Sequence, residues 1–122
     1  MRSVFVLALG LLASAHAAAD DAALIRQLAP EINPAAVAQA VSAMKCAQEN
    51  GVGQTASRLA IIDYTIPSRE QRLWVVDLKQ RKLLFEEYVA HGKGSGDDIP
   101  NAFSNRNGSH QTSLGLFLTH TT

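Results

Sequence analysis

Arg72-Leu73-Trp74-Val75-Val76-Asp77 is the stretch on which the fold turns. Successive side chains of a strand point to opposite faces, so Leu73 and Val75 share one face and Trp74 and Val76 the other. A strand that is apolar on both faces sits inside a sheet covered twice, as in a sandwich or barrel. Lys79-Gln80-Arg81 reads as a solvated turn, and Lys82 to Val89 as the returning strand of a hairpin. On the other side, Arg58-Leu59-Ala60-Ile61-Ile62-Asp63-Tyr64 is a further β-like run, closed by Ile66-Pro67-Ser68. Leu114 to Thr119 supplies a fourth candidate strand. A sheet ending there would present an unpaired edge, which natural domains normally cover.

Upstream of the strands the pattern is helical. Asn33-Pro34 has the form of an N-cap followed by the first helical residue: Asn can accept from an early backbone N–H, and Pro lacks the N–H that would go unsatisfied. Val37, Ala40, Val41, Met44 and Ala47 recur at three- and four-residue spacing and form one apolar stripe. Asn50-Gly51 provides the stop, because Gly takes the left-handed conformation past a helix end without penalty. A shorter helix is expected around Ala22 to Leu28, ending near Ala29-Pro30.

Between the third and fourth strands, residues 91–113 form an irregular stretch of 23 residues containing Gly92, Gly94, Gly96, Pro100 and Gly108. Compact domains rarely keep such a loop without a use for it, typically binding or a lid; disorder is the alternative.

The N-terminus has the three parts of an export signal: Arg2, the apolar run Val4 to Ala13, and the small-x-small site Ala15-His16-Ala17. The apolar run is shorter than the ~20 residues a bilayer-spanning helix needs. Cleavage after residue 17 leaves 105 of the 122 residues, enough for one small domain. The full chain has 11 basic and 11 acidic residues, and loss of Arg2 leaves a slight acidic excess. That argues against nucleic acid as a partner, since phosphate neutralisation needs surplus Lys and Arg. One cysteine, Cys46, excludes an intramolecular disulfide.

Local chemistry assigns no active site. Cys46 lies off the apolar stripe near a helix C-terminus, whose partial negative charge opposes thiolate formation, so it reads as a small packing residue or inert thiol. His91, His110 and His120 lack metal-ligand spacing, and solvated or loop-fixing roles suit them better. Gly92-Lys93-Gly94-Ser95-Gly96 lacks the first glycine of a phosphate loop and the helix that would follow one. Ser95, Ser109 and Ser113 stand in no Gly-x-Ser-x-Gly elbow. Asn107-Gly108-Ser109 matches a glycosylation acceptor, a pattern short enough to arise by chance. No residue is assigned to catalysis, to a cofactor or to a metal.

A longer pattern does point somewhere. Leu59 to Ser68, followed by Arg72 to Leu78, resembles the opening of the murein L,D-transpeptidase catalytic-domain family. So do Val89-Ala90-His91-Gly92-Lys93-Gly94-Ser95-Gly96, then Phe103-Ser104-Asn105 and Gly108 to Gly115, with Thr112-Ser113-Leu114-Gly115 where such domains have a Thr-Pro-x-Gly-like run. The likeness extends over roughly residues 33 to 119.

The resemblance implies an exported protein of peptidoglycan metabolism, secreted or periplasmic, with stem peptides as its partner and no cofactor. It implies cysteine acyl transfer: a thiolate attacks a stem peptide, a thioester forms, and an acceptor amine resolves it. The family's nucleophile lies in a Ser-x-Gly-Cys-like motif with a His-Gly motif upstream, both beyond the fourth strand. Neither motif is present here, and His91-Gly92 belongs to the family's earlier His-Gly-x-Gly-Ser-Gly loop. No catalytic residue of the family therefore carries over. The expectation is an α+β, mainly β chain: a signal peptide over 1–17, a helical leader over 18–53, and over 54–122 an incomplete sandwich- or barrel-like domain. A truncated, catalytically incompetent member is expected, with a non-catalytic cell-wall or protein-binding module as the alternative.

Overall fold

A computed structural model describes residues 17–120. The export signal expected over 1–17 falls outside the described residues, apart from Ala17. Helix α1 is described over residues 17–28 and helix α2 over Pro34–Glu49. Three strands follow: β1 Arg58–Ile62, β2 Leu73–Asp77 and β3 Lys82–Glu87. They form one open antiparallel sheet in the order β1-β2-β3. The α+β class and the incomplete sheet match the sequence expectation.

Both ends of α2 are built as its sequence specifies. The Asn33 side chain accepts from the Ala35 N–H at 2.9 Å, with Pro34 at the first turn. At the other end Gly51 takes φ 82°. The Gly51 N–H then donates to Gln48 O (3.1 Å) and the Val52 N–H to Ala47 O (2.8 Å), the paired bonds of a Schellman motif. The Gln48 amide nitrogen donates to Gly53 O and Ala56 O, holding the linker to β1 against the helix.

One core joins helices and sheet. Ile25 and Ala29 from α1 and its end, Ile32, and Val37 and Val41 from α2 pack with Leu59, Ile61, Trp74 and Val76. The ladder explains this selection. Leu59 stands opposite Val76 and Ile61 opposite Trp74, so all four project from the helix-covered face. On β3 the register slips by one residue between Val75 and Val76, where Phe85 faces Val75 but Leu83 faces Val76. The bulge at Leu84 turns Leu83 toward the core and leaves Phe85 on the outer face, 58% exposed.

That outer face, with Ala60, Ile62, Leu73, Val75 and Phe85, is the second apolar face expected of β2. Leu73 and Val75 are half-buried, and Ile62 and Phe85 are exposed. Among the described residues β1 and β3 each pair only with β2, so each keeps one free margin.

The fourth strand does not form. Leu114, Leu116, Phe117 and Leu118 are all exposed, and residues 113–120 make no ladder pairing. Strand propensity measures fit to a pleated, half-buried surface, and this run gains none: its large apolar side chains stay exposed. The other strands are also shorter than their apolar runs. Asp63 and Tyr64 leave β1 for a turn in which the Asp63 carboxylate accepts from the Thr65 N–H at 3.0 Å and from its hydroxyl.

Candidate functional site

The irregular stretch after β3 folds back on itself as a cross-braced loop. Its first arm contains the 3-10 turn Lys93–Ser95, and its second arm crosses it at residues 109–112. The Gly92 N–H donates to Thr112 Oγ1 (2.7 Å), the Gly94 N–H to His110 O (2.8 Å), and the Thr112 N–H to Ser95 Oγ (2.8 Å). Ser95 is fully buried, and its carbonyl accepts from Asn101 and Ala102. Phe103 and Thr112 meet in an isolated β-bridge.

Two glycines permit the crossing. A Cβ on Gly92 would stand 2.4 Å from His110 O, and one on Gly94 would stand 2.9 Å from both His110 O and Ser109 O. The Gly-x-Gly spacing thus serves close backbone approach. It leaves the amides no role in cradling phosphate, because Gly92, Gly94 and Ser95 all donate within the loop.

Beneath the loop lies Arg72, at the head of β2 and fully buried. Its Nε and Nη2 donate to Val89 O at 3.1 and 2.7 Å, and its Nη1 to Ile66 O at 3.0 Å. Nη2 also lies 2.8 Å from His91 Nδ1, and the Tyr64 ring stacks on the guanidinium with its centroid 5.0 Å from Cζ. One side chain therefore ties the β1–β2 turn, the end of β3 and the start of the loop together. Ser68 makes a second tie: its N–H and hydroxyl bond to the Asp98 carbonyl and carboxylate, each at 2.8 Å, and Arg69 pairs with the same carboxylate.

The side chains of the remaining candidates make other contacts or none. Cys46 is exposed on α2, bordering a groove of 380 Å³ between the helices that Ala18, Ala22 and Val41 also line. Its sulfur has one polar neighbour, Asn50 Nδ2 at 3.8 Å. His110 and His120 are exposed, and no cluster of three metal-ligating side chains occurs among the described residues. Ser109 Oγ accepts from the Gln111 N–H, and Ser113 Oγ donates to Ser104 O. Asn107 is exposed beside Gly108 in a turn.

Two carboxylates are electrostatically tuned. Asp77 is held below the usual carboxylate range chiefly by the Gln80 backbone amide (2.8 Å), with Lys79 and Arg58 adding to it against the opposing pull of burial. Burial pushes Asp21 up, with the Arg81 charge opposing.

Sequence reasoning passed over Arg72 and weighed Ser95 only as a nucleophile. An arginine just before an apolar strand looks like any exposed flanking charge, and a serine within Lys93-Gly94-Ser95-Gly96 looks like part of a flexible loop. The one available signal was the clustering of three glycines around Ser95.

The architecture defines a class: an open α+β domain that mounts a rigid glycine-rich loop at one end of a small antiparallel sheet. Residues 28–122 match the family model described as the L,D-transpeptidase catalytic domain, and the chain belongs to that family. No curated protein and no solved structure matches it. No helix among the described residues is long and apolar enough to cross a membrane.

Proposed function

We propose that this chain is an exported L,D-transpeptidase-like protein of peptidoglycan metabolism and that the 122-residue polypeptide is catalytically incompetent alone. The family match over residues 28–122 supports the peptidoglycan part of the reading, and the N-terminal sequence pattern supports export. The surroundings of the single thiol support the second. Acyl transfer through a thioester needs a thiolate, a base within hydrogen-bond reach and oxyanion donors aimed at the same carbonyl. Among the described residues the Cys46 sulfur is hydrogen-bonded by the Asn50 amide, which also donates to Cys46 O at 2.8 Å, and by no base. The partner chemistry consistent with the family is a peptidoglycan stem peptide.

The test is incubation of the purified chain with stem tetrapeptides and an acceptor amine, followed by mass spectrometry. Neither cross-linked nor hydrolysed product is expected. Turnover that disappears in Cys46→Ala would refute incompetence. Export is checked separately: the secreted or periplasmic form should begin after Ala17, and an intact N-terminus on the mature protein would contradict it.

A non-catalytic cell-wall or protein-binding module is the second reading. The cross-braced loop favours it, because a preformed surface binds without first having to be ordered. Such a module should sediment with purified peptidoglycan sacculi while showing a cooperative melt.

A further inference from the structure

Arginine can only donate hydrogen bonds, and this fixes the chemistry of His91. Its Nδ1 lies 2.8 Å from Arg72 Nη2, so Nδ1 must present a lone pair. The ring proton then sits on Nε2, which is 3.2 Å from the Gly96 carbonyl, the acceptor this tautomer requires. Both nitrogens are engaged in this tautomer. A second proton could go only to Nδ1. There it would replace an acceptor with an N–H directed at a buried cation.

We infer that His91 is a proton-operated latch: neutral, it fastens the Gly92–Gly96 turn to Arg72, and on protonation it lets that turn go. The ion pairs among the described residues are Arg58–Asp77 and Arg69–Asp98, so no carboxylate lies within 4.0 Å of the His91 ring or the Arg72 guanidinium. From the β1–β2 turn, Tyr64 faces Arg72 with its ring, and buried Asp63 is engaged by Thr65. Asp98 is taken by Ser68 and Arg69. Glu87, beside the latch on β3, is exposed, as are Lys93, Asp97 and His110 on the loop itself.

The release is local by construction. Arg72 keeps Val89 O and Ile66 O as acceptors after His91 leaves, so the sheet end stays tied. The core of helices and sheet shares no residue with the latch. What loosens is the loop, because the bonds of Gly94 to His110, Ser95 to Asn101 and Ser95 to Thr112 all depend on where that turn is held.

The full chain is examined by long-range ¹⁵N NMR of its histidines and by amide hydrogen exchange. At about pH 8 His91 should show the Nε2–H tautomer. Between about pH 8 and about pH 5, protection of the Gly94, Asn101 and Thr112 amides should fall by about tenfold or more after correction for intrinsic exchange. A factor of that size corresponds to losing one hydrogen bond from a charged donor. The β2 amides should hold steady.

His91→Asn offers a non-titrating oxygen near the Nδ1 position and should abolish the response. His110→Gln combined with His120→Gln should retain it. An Nδ1–H tautomer, protection independent of pH, a response surviving in His91→Asn, or loop amides unprotected at both pH values would each overturn the latch. Should His91→Asn not fold, the wild-type tautomer and the response of the double variant decide the matter.

Discussion

Replacing Arg72 by Met keeps most of the aliphatic bulk at this site and deletes the guanidinium. Three acceptors lose their donors: Val89 O, Ile66 O and His91 Nδ1. Each orphaned acceptor in a buried setting costs about 1 kcal/mol or more, and loss of the Tyr64 stacking adds roughly 0.5–2 kcal/mol. Removing a desolvated cation returns part of this, since apolar replacements of buried charge are sometimes neutral. Here the balance should fall on the side of loss, because only one partner is removed while the acceptors remain in place. A destabilisation of about 3–5 kcal/mol is expected, comparable with the whole stability of a small domain. In urea, at a slope of roughly 1 kcal/mol per molar, the midpoint should drop by about 3 M or the variant should be unfolded at the outset. Arg72→Lys, which keeps the charge but not the fork, should lose about 2 kcal/mol. A midpoint for Arg72→Met within about 1 kcal/mol of wild type would show that the acceptors find water or other donors, and the reasoning would fail.

Three further outcomes are expected. Asn33→Ala removes the cap on Ala35 and should cost about 1 kcal/mol in urea denaturation, with Asn33→Asp close to neutral. Trp74 is fully buried with its indole N–H unpartnered among the described residues, so Trp74→Phe removes an unmet donor along with volume. Its net loss should stay below about 1.5 kcal/mol, against about 3–5 kcal/mol for Trp74→Ala by thermal melt. Asp77 binds its proton less readily folded than unfolded, so its stabilising contribution is present above the unfolded value of about 4 and disappears as pH falls through the lower folded value. The gap in urea midpoint between wild type and Asp77→Asn should therefore be wide at about pH 7 and close at strongly acid pH; a gap that does not change would count against this assignment.

The parts of the fold that were legible are those whose instructions are local. The Asn33-Pro34 cap, the Asn50-Gly51 stop and the Val37/Val41 stripe need no distant partner to take effect, and α2 begins, ends and faces as they specify. Alternation and a short polar turn likewise specified the β2–β3 hairpin, though not the bulge at Leu84, which depends on fitting Leu83 under the helices. Leu114 to Thr119 misled because an apolar run makes a strand only where it gains a half-buried, pleated surface, and here its side chains stay exposed. The loop was opaque for the opposite reason. Its order comes from contacts such as Gly92 to Thr112 and Arg72 to His91, separated by 20 and 19 positions, which no window of local pattern contains. The family resemblance captured what periodicity could not, because it reads the glycines, His91 and Thr112 as one spaced set.

The two free margins of the sheet are unequal in character. Strand β3 carries Lys82, Glu86 and Glu87 among its six residues, whereas β1 carries Arg58 alone among five. Charge along a margin discourages another chain from zipping onto it. Intermolecular growth by strand addition therefore has a preferred direction, outward from β1, and a solubilising charge would be best placed at Ala60 or Ile62.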